Sequence, residues 1–398
     1  MKRANTILAA AFLVLLFAMA GYTLKDHDNL YATVRNAWQA RTPQESDTIL
    51  TRAEFAADQA EGVLNAALDR EHYFIQLYGG VQRLTGQRFV EDSYSYSVIR
   101  LDNGALTFGS IAPELVDVSH NAASTAQFAA RLGELGIPFT AVVTPQKQLG
   151  DEVPAVLRNY HNEECDQFLT ILEQEGVHTV DLRDTMEIEM GRDFFVTDHH
   201  WTAQGAFQAN GILTGALARE YGFTPFAPGL DGDQFTQTVY KDLFLGSQGK
   251  RVGTLYAGTD DFITFHPKFD THLSYHIRGA AQPRTGTLEQ ALYFNEYLKQ
   301  DYFNGNPYVT FAGGDWGKAT VTNHLNPDGP KVVMVRDSFG CAITPFLALQ
   351  CSELTTIDLR AYGDGDLMAD IGEIDPDLVL LLYNPSTMVT DSMFAFIK

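Results

Sequence analysis

Asp198-His199-His200-Trp201-Thr202 sets a carboxylate two positions before an imidazole. Such a pair is the base half of an acyl-transfer site: the carboxylate fixes the tautomer of the ring and stabilises the imidazolium formed when the ring takes a hydroxyl proton. The hydroxyl half is expected at Arg336-Asp337-Ser338-Phe339-Gly340. There Lys331 to Val335 reads as a strand, and Ala342 to Leu349 as a helix that tolerates Pro345 in its first turn. A serine at that junction sits at the carboxyl end of a strand and the amino end of a helix, where free N–H groups favour a developing oxyanion. Gly340 would let the backbone approach a ligand closely. Arg336 stands two places before Ser338, where an α/β-hydrolase elbow needs a small residue, so the pattern argues against that fold.

Other readings of these residues stay open on sequence alone. Asp337 or Ser338 could cap the helix, and His200 could be a turn histidine bonded to backbone. Asp198, His199 and His200 could bind a metal with His266, His272 or His276, although no HExxH or paired Cys/His spacing is present. In an extended segment, alternation puts Asp198 and His200 on one side and His199 on the other. Trp201 would supply an apolar wall, and Thr202 an N-cap for a helix starting near Ala203.

The elements that must position these residues alternate. A helical pattern runs from about Ala53 to Leu84, and Ser97 to Phe108 reads as a hairpin turning at Asp102-Asn103-Gly104. Helices Ala122 to Leu135, Glu164 to Glu175 and Ala203 to Tyr221 interleave with strands Phe139 to Val143 and His178 to Leu182. Strands Lys331 to Val335, Leu354 to Leu359 and Leu378 to Tyr383 resume the pattern. Such alternation argues for a parallel sheet with covering helices. Between the two stretches, residues 223–330 carry short alternating runs such as Phe262 to Phe265 and Thr271 to Ile277, and read as a strand-rich insertion.

A chain of 398 residues, 45% hydrophobic and 20% charged, can bury a large core. Its net charge of −22 excludes a nucleic-acid partner and a loosely held anionic lipid surface. Cys165, Cys341 and Cys351 have no CxxC spacing and read as buried packing residues. Lys2 and Arg3 precede an uncharged run from Ala4 to Leu24, and Ala18-Met19-Ala20 offers a cleavage site. Residues 1–24 are therefore expected to be a signal peptide or membrane anchor and residues 25–50 a tether. The remainder, 51–398, would lie outside the cytoplasm, secreted or membrane-anchored in the cell envelope.

Phe194 to Ala206 together with Val335 to Gly340 resembles the DHHW family of bacterial exported proteins, relatives of the alginate O-acetylation proteins in the SGNH hydrolase superfamily. The resemblance runs through most of residues 46–398 and includes Val143 to Lys147, Asp242 to Ser247 and Asp358 to Arg360. It implies a flavodoxin-like α/β/α sandwich and a serine acyltransferase or esterase that adds or removes O-acetyl-type groups on exported polysaccharide. Carried over, Ser338 is the nucleophile, His200 the base and Asp198 its partner, with Asp and His before Ser as in the permuted alginate relatives. The GDS of many SGNH enzymes is Arg336-Asp337-Ser338 here, and the Ser338 N–H is the oxyanion donor that the pattern supplies. Lys147, Ser247 and Arg360 are secondary candidates for substrate or oxyanion contacts; the alternatives are a solvated loop lysine, a turn serine and an ion-paired arginine. The implied partners are a glycan acceptor and a membrane-bound O-acyltransferase that supplies the acyl group, with no cofactor and no metal. A rival from another class is a non-catalytic polysaccharide-binding or assembly protein, whose 17 Tyr, 26 Phe and 3 Trp would line a groove as well as a core.

Overall fold

The computed structural model describes residues 71–91, 96–110, 114–147, 157, 159–223 and 230–397, with 35–39, 48, 51, 55 and 57. The expected signal or anchor segment 1–24 and most of the tether 25–50 lie outside the described residues. Residues 35–39, within the expected tether, are helical. Of the helical pattern expected from Ala53, the described part is the helix Glu71–Leu84. The chain divides into two units, Met1–Leu77 and Tyr78–Lys398, and every described strand belongs to the second. Among the described residues no helix is long and apolar enough to cross a membrane.

Strands β1 (Phe89–Glu91), β2 (Tyr96–Arg100) and β3 (Leu106–Ser110) form a small antiparallel sheet. Helix α1 (Ser119–Glu134), β4 (Phe139–Val143), α2 (His161–Gln174), β5 (His178–Asp181) and α3 (Ala203–Tyr221) then alternate as the sequence predicts. The insertion comes next. Its strands β6 (Phe235–Phe244) and β7 (Asp260–Pro267) flank the short helix α4 (Ser247–Val252), and β8 (Leu273–Ile277), β9 (Arg284–Gly286) and β10 (Ala319–Asn323) complete it. The chain ends through β11 (Lys331–Arg336), α5 (Phe339–Gln350), β12 (Glu353–Ile357), α6 (Leu359–Tyr362) and β13 (Leu378–Tyr383).

Eight strands pair in the order β5-β4-β13-β11-β12-β10-β8-β9. The first five are mutually parallel. The sheet is mixed rather than purely parallel, because β10, β8 and β9 of the insertion continue it antiparallel beyond β12. The two central strands are apolar and buried from Val332 to Val335 and from Leu378 to Tyr383, as suits a sheet covered on both faces. Val332, Met334, Leu378, Leu380 and Leu382 pack with α3 and α5 on one side. Val333, Val335, Val379, Leu381 and Tyr383 pack with α1 and α2 on the other. Helix α5 is buried nearly all round, which its uniformly apolar sequence requires. Pro345 lies inside this helix rather than in its first turn, at the cost of one backbone bond. All three cysteines are free and buried.

Candidate active site

Ser338 follows β11, which lies between β13 and β12, so the serine emerges at the carboxyl end of a central parallel strand. Capping of α5 does not involve its hydroxyl. Asp337 does the local bonding: its Oδ1 accepts from Phe339 N at 2.9 Å, and its Oδ2 from Asn384 N at 2.6 Å and Thr387 Oγ1 at 2.8 Å. The space at Gly340 also has a different use from the one expected. A Cβ there would come within 2.7 Å of the Arg336 side chain, so the glycine makes room for a buried arginine rather than for a ligand.

His200 reaches this serine from the loop before α3. Its Nε2 lies 2.7 Å from Ser338 Oγ and its Nδ1 lies 2.6 Å from Asp198 Oδ1. Asp198 and His200 are buried. The segment is not extended, and the expectation that His199 points to the opposite side is wrong. Asp198 Oδ1 also accepts from His200 N at 3.0 Å, an Asx turn that curls the backbone. The two histidine rings consequently pack against each other with centroids 3.8 Å apart, and His199 Nδ1 lies 3.0 Å from Ser247 Oγ. Thr202 caps α3 by accepting from Gly205 N at 3.2 Å.

Asp198 is held by more than its histidine. Ser247 N donates to Asp198 Oδ2 at 2.6 Å. The close approach needs Gly246, where a Cβ would fall 2.2 Å from Asp198 Cβ. Burial acts to raise the Asp198 pKa, but His199, His200 and the Ser247 N–H together hold it well below the ordinary carboxylate range. Lys147 is buried, not solvated: its Nζ donates to the carbonyls of Val196 at 2.9 Å and Asp198 at 2.8 Å. Desolvation lowers its pKa to about 7 against the pull of Asp260 and Asp198. Asp260 ties the same loop from the insertion, accepting from Val196 N at 2.7 Å and Thr197 N at 2.8 Å.

One residue that the sequence did not single out, Tyr308, adds to the surroundings. Tyr308 of the insertion stacks on the His200 ring, centroids 4.0 Å apart and planes 15° apart, and donates its hydroxyl to Ser338 O at 3.1 Å. Trp201, expected as a wall, is fully buried and donates Nε1 to Phe339 O at 3.0 Å, which pins one motif to the other. Arg360 is committed to Asp358 Oδ2 at 2.6 Å and Asp315 Oδ2 at 3.0 Å. The same two carboxylates flank buried Arg336. None of the hydrogen bonds of Lys147, the Ser247 side chain or Arg360 runs to Ser338.

A metal reading has a partial basis, since Asp198, His199 and His200 bring ligand-type atoms within 4.8 Å of one another. His200 however spends both ring nitrogens on Asp198 and Ser338, and Asp198 spends both oxygens on His200 and Ser247. His266 bonds instead to Thr264 and Glu289, and His272 packs on His324. The set suits a hydrogen-bonded base better than a ligand shell.

Residues 112–301 match the family of the SGNH hydrolase-like domain of acetyltransferase AlgX. Over those residues the chain is related to the alginate O-acetylation proteins. PatB1 of Bacillus cereus superposes on this chain with a TM-score of 0.62 at 20% identity, covering 76% of this chain and 99% of PatB1. PatB1 with a sulfonyl adduct does so with a TM-score of 0.62 at 19% identity, covering 78% and 99%. A DHHW family protein from Eubacterium siraeum gives 0.58 at 17% identity, covering 78% and 97%. At such identities the structural likeness is one of fold. No curated protein matches the chain in sequence.

Proposed function

We propose that the protein is a serine acyltransferase or esterase of the cell envelope, adding or removing O-acetyl-type groups on polysaccharide. The observation that carries this reading is the line of contacts from Ser338 Oγ through the His200 ring to Asp198, at 2.7 and 2.6 Å. The match to an acetyltransferase domain supports it. His200 takes the Ser338 proton as Oγ attacks an acyl carbonyl, and Asp198 stabilises the resulting imidazolium. The oxyanion is placed toward the Ser338 N–H, since the next three N–H groups are bonded to Asp337 Oδ1, Asp337 O and Ser338 O. Collapse expels the donor's alcohol or thiol, which leaves with the proton held by His200. A sugar hydroxyl or water then gives its proton to His200 while attacking the acyl-Ser338 ester, and the second collapse returns that proton to Ser338 Oγ. The basic and then apolar amino terminus supports export, anchored or secreted; a membrane-bound O-acyltransferase as the source of the acyl group belongs to this reading through the family resemblance alone. The flavodoxin-like form of the sandwich belongs to the same reading, supported by helices packed on both faces of the sheet.

The test uses the full chain with a fluorophosphonate probe and an aryl acetate, in the presence and absence of a chelator. Labelling and turnover are expected in the wild type and lost in Ser338→Ala and His200→Ala, with the chelator without effect. Absence of both labelling and Ser338-dependent turnover sinks the enzyme reading and favours a glycan-binding role.

A further inference from the structure

A cavity of about 560 Å³ opens beside the catalytic groups, within the size range of small-ligand sites. His199, packed on His200, borders it on one side, and Asn384, whose backbone N–H is bonded to Asp337, borders it on another. It therefore adjoins both halves of the site. Its lining holds two side chains that the acyl-transfer chemistry does not use, Gln146 and Gln248. Each follows or precedes a residue that clamps Asp198: Gln146 stands before Lys147, and Gln248 after Ser247. Their exposures are 9% and 1%. Gln146 Nε2 and Gln248 Oε1 are shut off from solvent and have no hydrogen-bond partner among the described residues. Buried amides are normally paired, so two unmatched ends in side chains that line a cavity gain partners when the amides turn toward a polar ligand there. Rotation of the last side-chain torsion exchanges the two ends of either amide, so each can present a donor or an acceptor.

The charged groups of the cavity are already engaged. Lys147 Nζ is bonded to two carbonyls, and His161 Nδ1 lies 3.1 Å from Glu164. No carboxylate is among the described lining residues. A polyuronate carries a carboxylate on every sugar and needs free cations to meet it, whereas a net charge of −22 repels it at long range. Neutral hydroxyls and amides are what two glutamines can match.

We propose that this cavity is the acceptor subsite and that Gln146 and Gln248 select an uncharged glycan through hydrogen bonds to its hydroxyl or amide groups. The proposal rests on the acyl-transfer reading for the word acceptor, but its binding test does not depend on turnover. The full-length Ser338→Ala chain is titrated calorimetrically with β-1,4-linked hexamers of glucose, of N-acetylglucosamine and of mannuronate. At least one neutral hexamer is expected to bind, and mannuronate to bind at least about tenfold more weakly. Adding Gln146→Leu or Gln248→Leu should weaken the neutral ligand by about tenfold or more, with thermal unfolding unchanged. Should a leucine variant unfold, Gln146→Asn or Gln248→Asn keeps the amide chemistry while shortening its reach, and the same loss is expected. Failure of both neutral hexamers to bind, equal or tighter binding of mannuronate, or full affinity in both variants overturns the subsite. Loss of fluorophosphonate labelling in the wild type with neutral-glycan binding intact would overturn the acyl-transfer reading and leave the subsite standing.

Discussion

Asp198 shows how one carboxylate acquires a fixed role. Its Oδ1 accepts from the backbone and the ring of His200, and its Oδ2 from Ser247 N, so the side chain cannot rotate without breaking three bonds. Asp198→Asn keeps the volume but brings an NH₂ group that must face either the ring N–H or the Ser247 N–H. Either the tautomer of His200 inverts or a buried donor is left opposed to another donor. Aryl-acetate turnover is therefore expected to fall by roughly 10³ to 10⁴, with the fold retained by circular dichroism, on the scale typical of a triad carboxylate. An effect below tenfold would show that Asp198 does not orient the base. That Asp198, His200 and Ser338 meet was legible from their types and spacing only together with the family resemblance, since the local pattern alone left a cap, a turn histidine and a metal ligand open. His199 was misplaced because the alternation rule presumes an extended backbone, and Asp198 itself bends the chain through its bond to His200 N. Gly246 left no local signal, since its reason lies 48 residues upstream in the Asp198 backbone.

At the scale of elements, the loop before α3 is shaped by groups from elsewhere in the chain. Lys147 enters from the end of β4, and Asp260 from the start of β7. Folded Lys147 titrates at about 7, against an ordinary value of 10.5. Between those values the unfolded chain binds the extra proton, so the cost of burying this ammonium is full below pH 7 and declines as pH rises to 10.5. The contribution of Lys147 to stability should therefore increase with pH across that window, by up to roughly 5 kcal/mol in all. Lys147→Met removes the titration, and the difference between its urea-unfolding free energy and that of the wild type should slope with pH between 7 and 9. Parallel curves would refute the assignment. Tyr308 offers a second test of remote positioning. Tyr308→Phe loses the bond to Ser338 O, worth about 1 kcal/mol, and should lower kcat/KM several-fold. Tyr308→Ala also loses the stack on His200 and should lower it beyond tenfold, as measured with aryl acetate. Equal activity of the two variants would assign the effect to the hydroxyl alone. The parallel strands and α3 could be read from their apolar runs and from the Thr202 cap. The pairing of β10 with β12 could not, because antiparallel extension of a sheet is decided by partners across the fold rather than by periodicity within β10.

In the unit Tyr78–Lys398, the insertion and the parallel half share both a sheet and a charge network. Strands β10, β8 and β9 prolong the sheet past β12. Asp315, from the insertion, pairs with Arg336 at the end of β11 and with Arg360 on α6. Asp358 lies fully buried between the two arginines, 3.5 Å from Arg336 and 2.6 Å from Arg360. An arginine as buried as Arg336 is tolerable only while its counter-charges remain. Asp358→Ala leaves it with Asp315, which is partly solvated, and should destabilise this unit by about 3–5 kcal/mol in urea. Asp315→Ala should cost less, because water can replace a half-exposed carboxylate. Shared hydrogen bonds and ion pairs also predict that the two regions unfold together. Trp201 lies in the loop that carries His200 and Trp316 in the insertion. Labelling with 5-fluorotryptophan gives each a separate fluorine resonance. Their urea transitions are expected to coincide in the wild type and to move down together in Asp358→Ala, as one cooperative unit requires. A Trp316 transition that precedes that of Trp201 would mean that the insertion is a separate folding unit, and that Tyr308 and Asp260 hold the catalytic loop only while an independently stable piece stays docked.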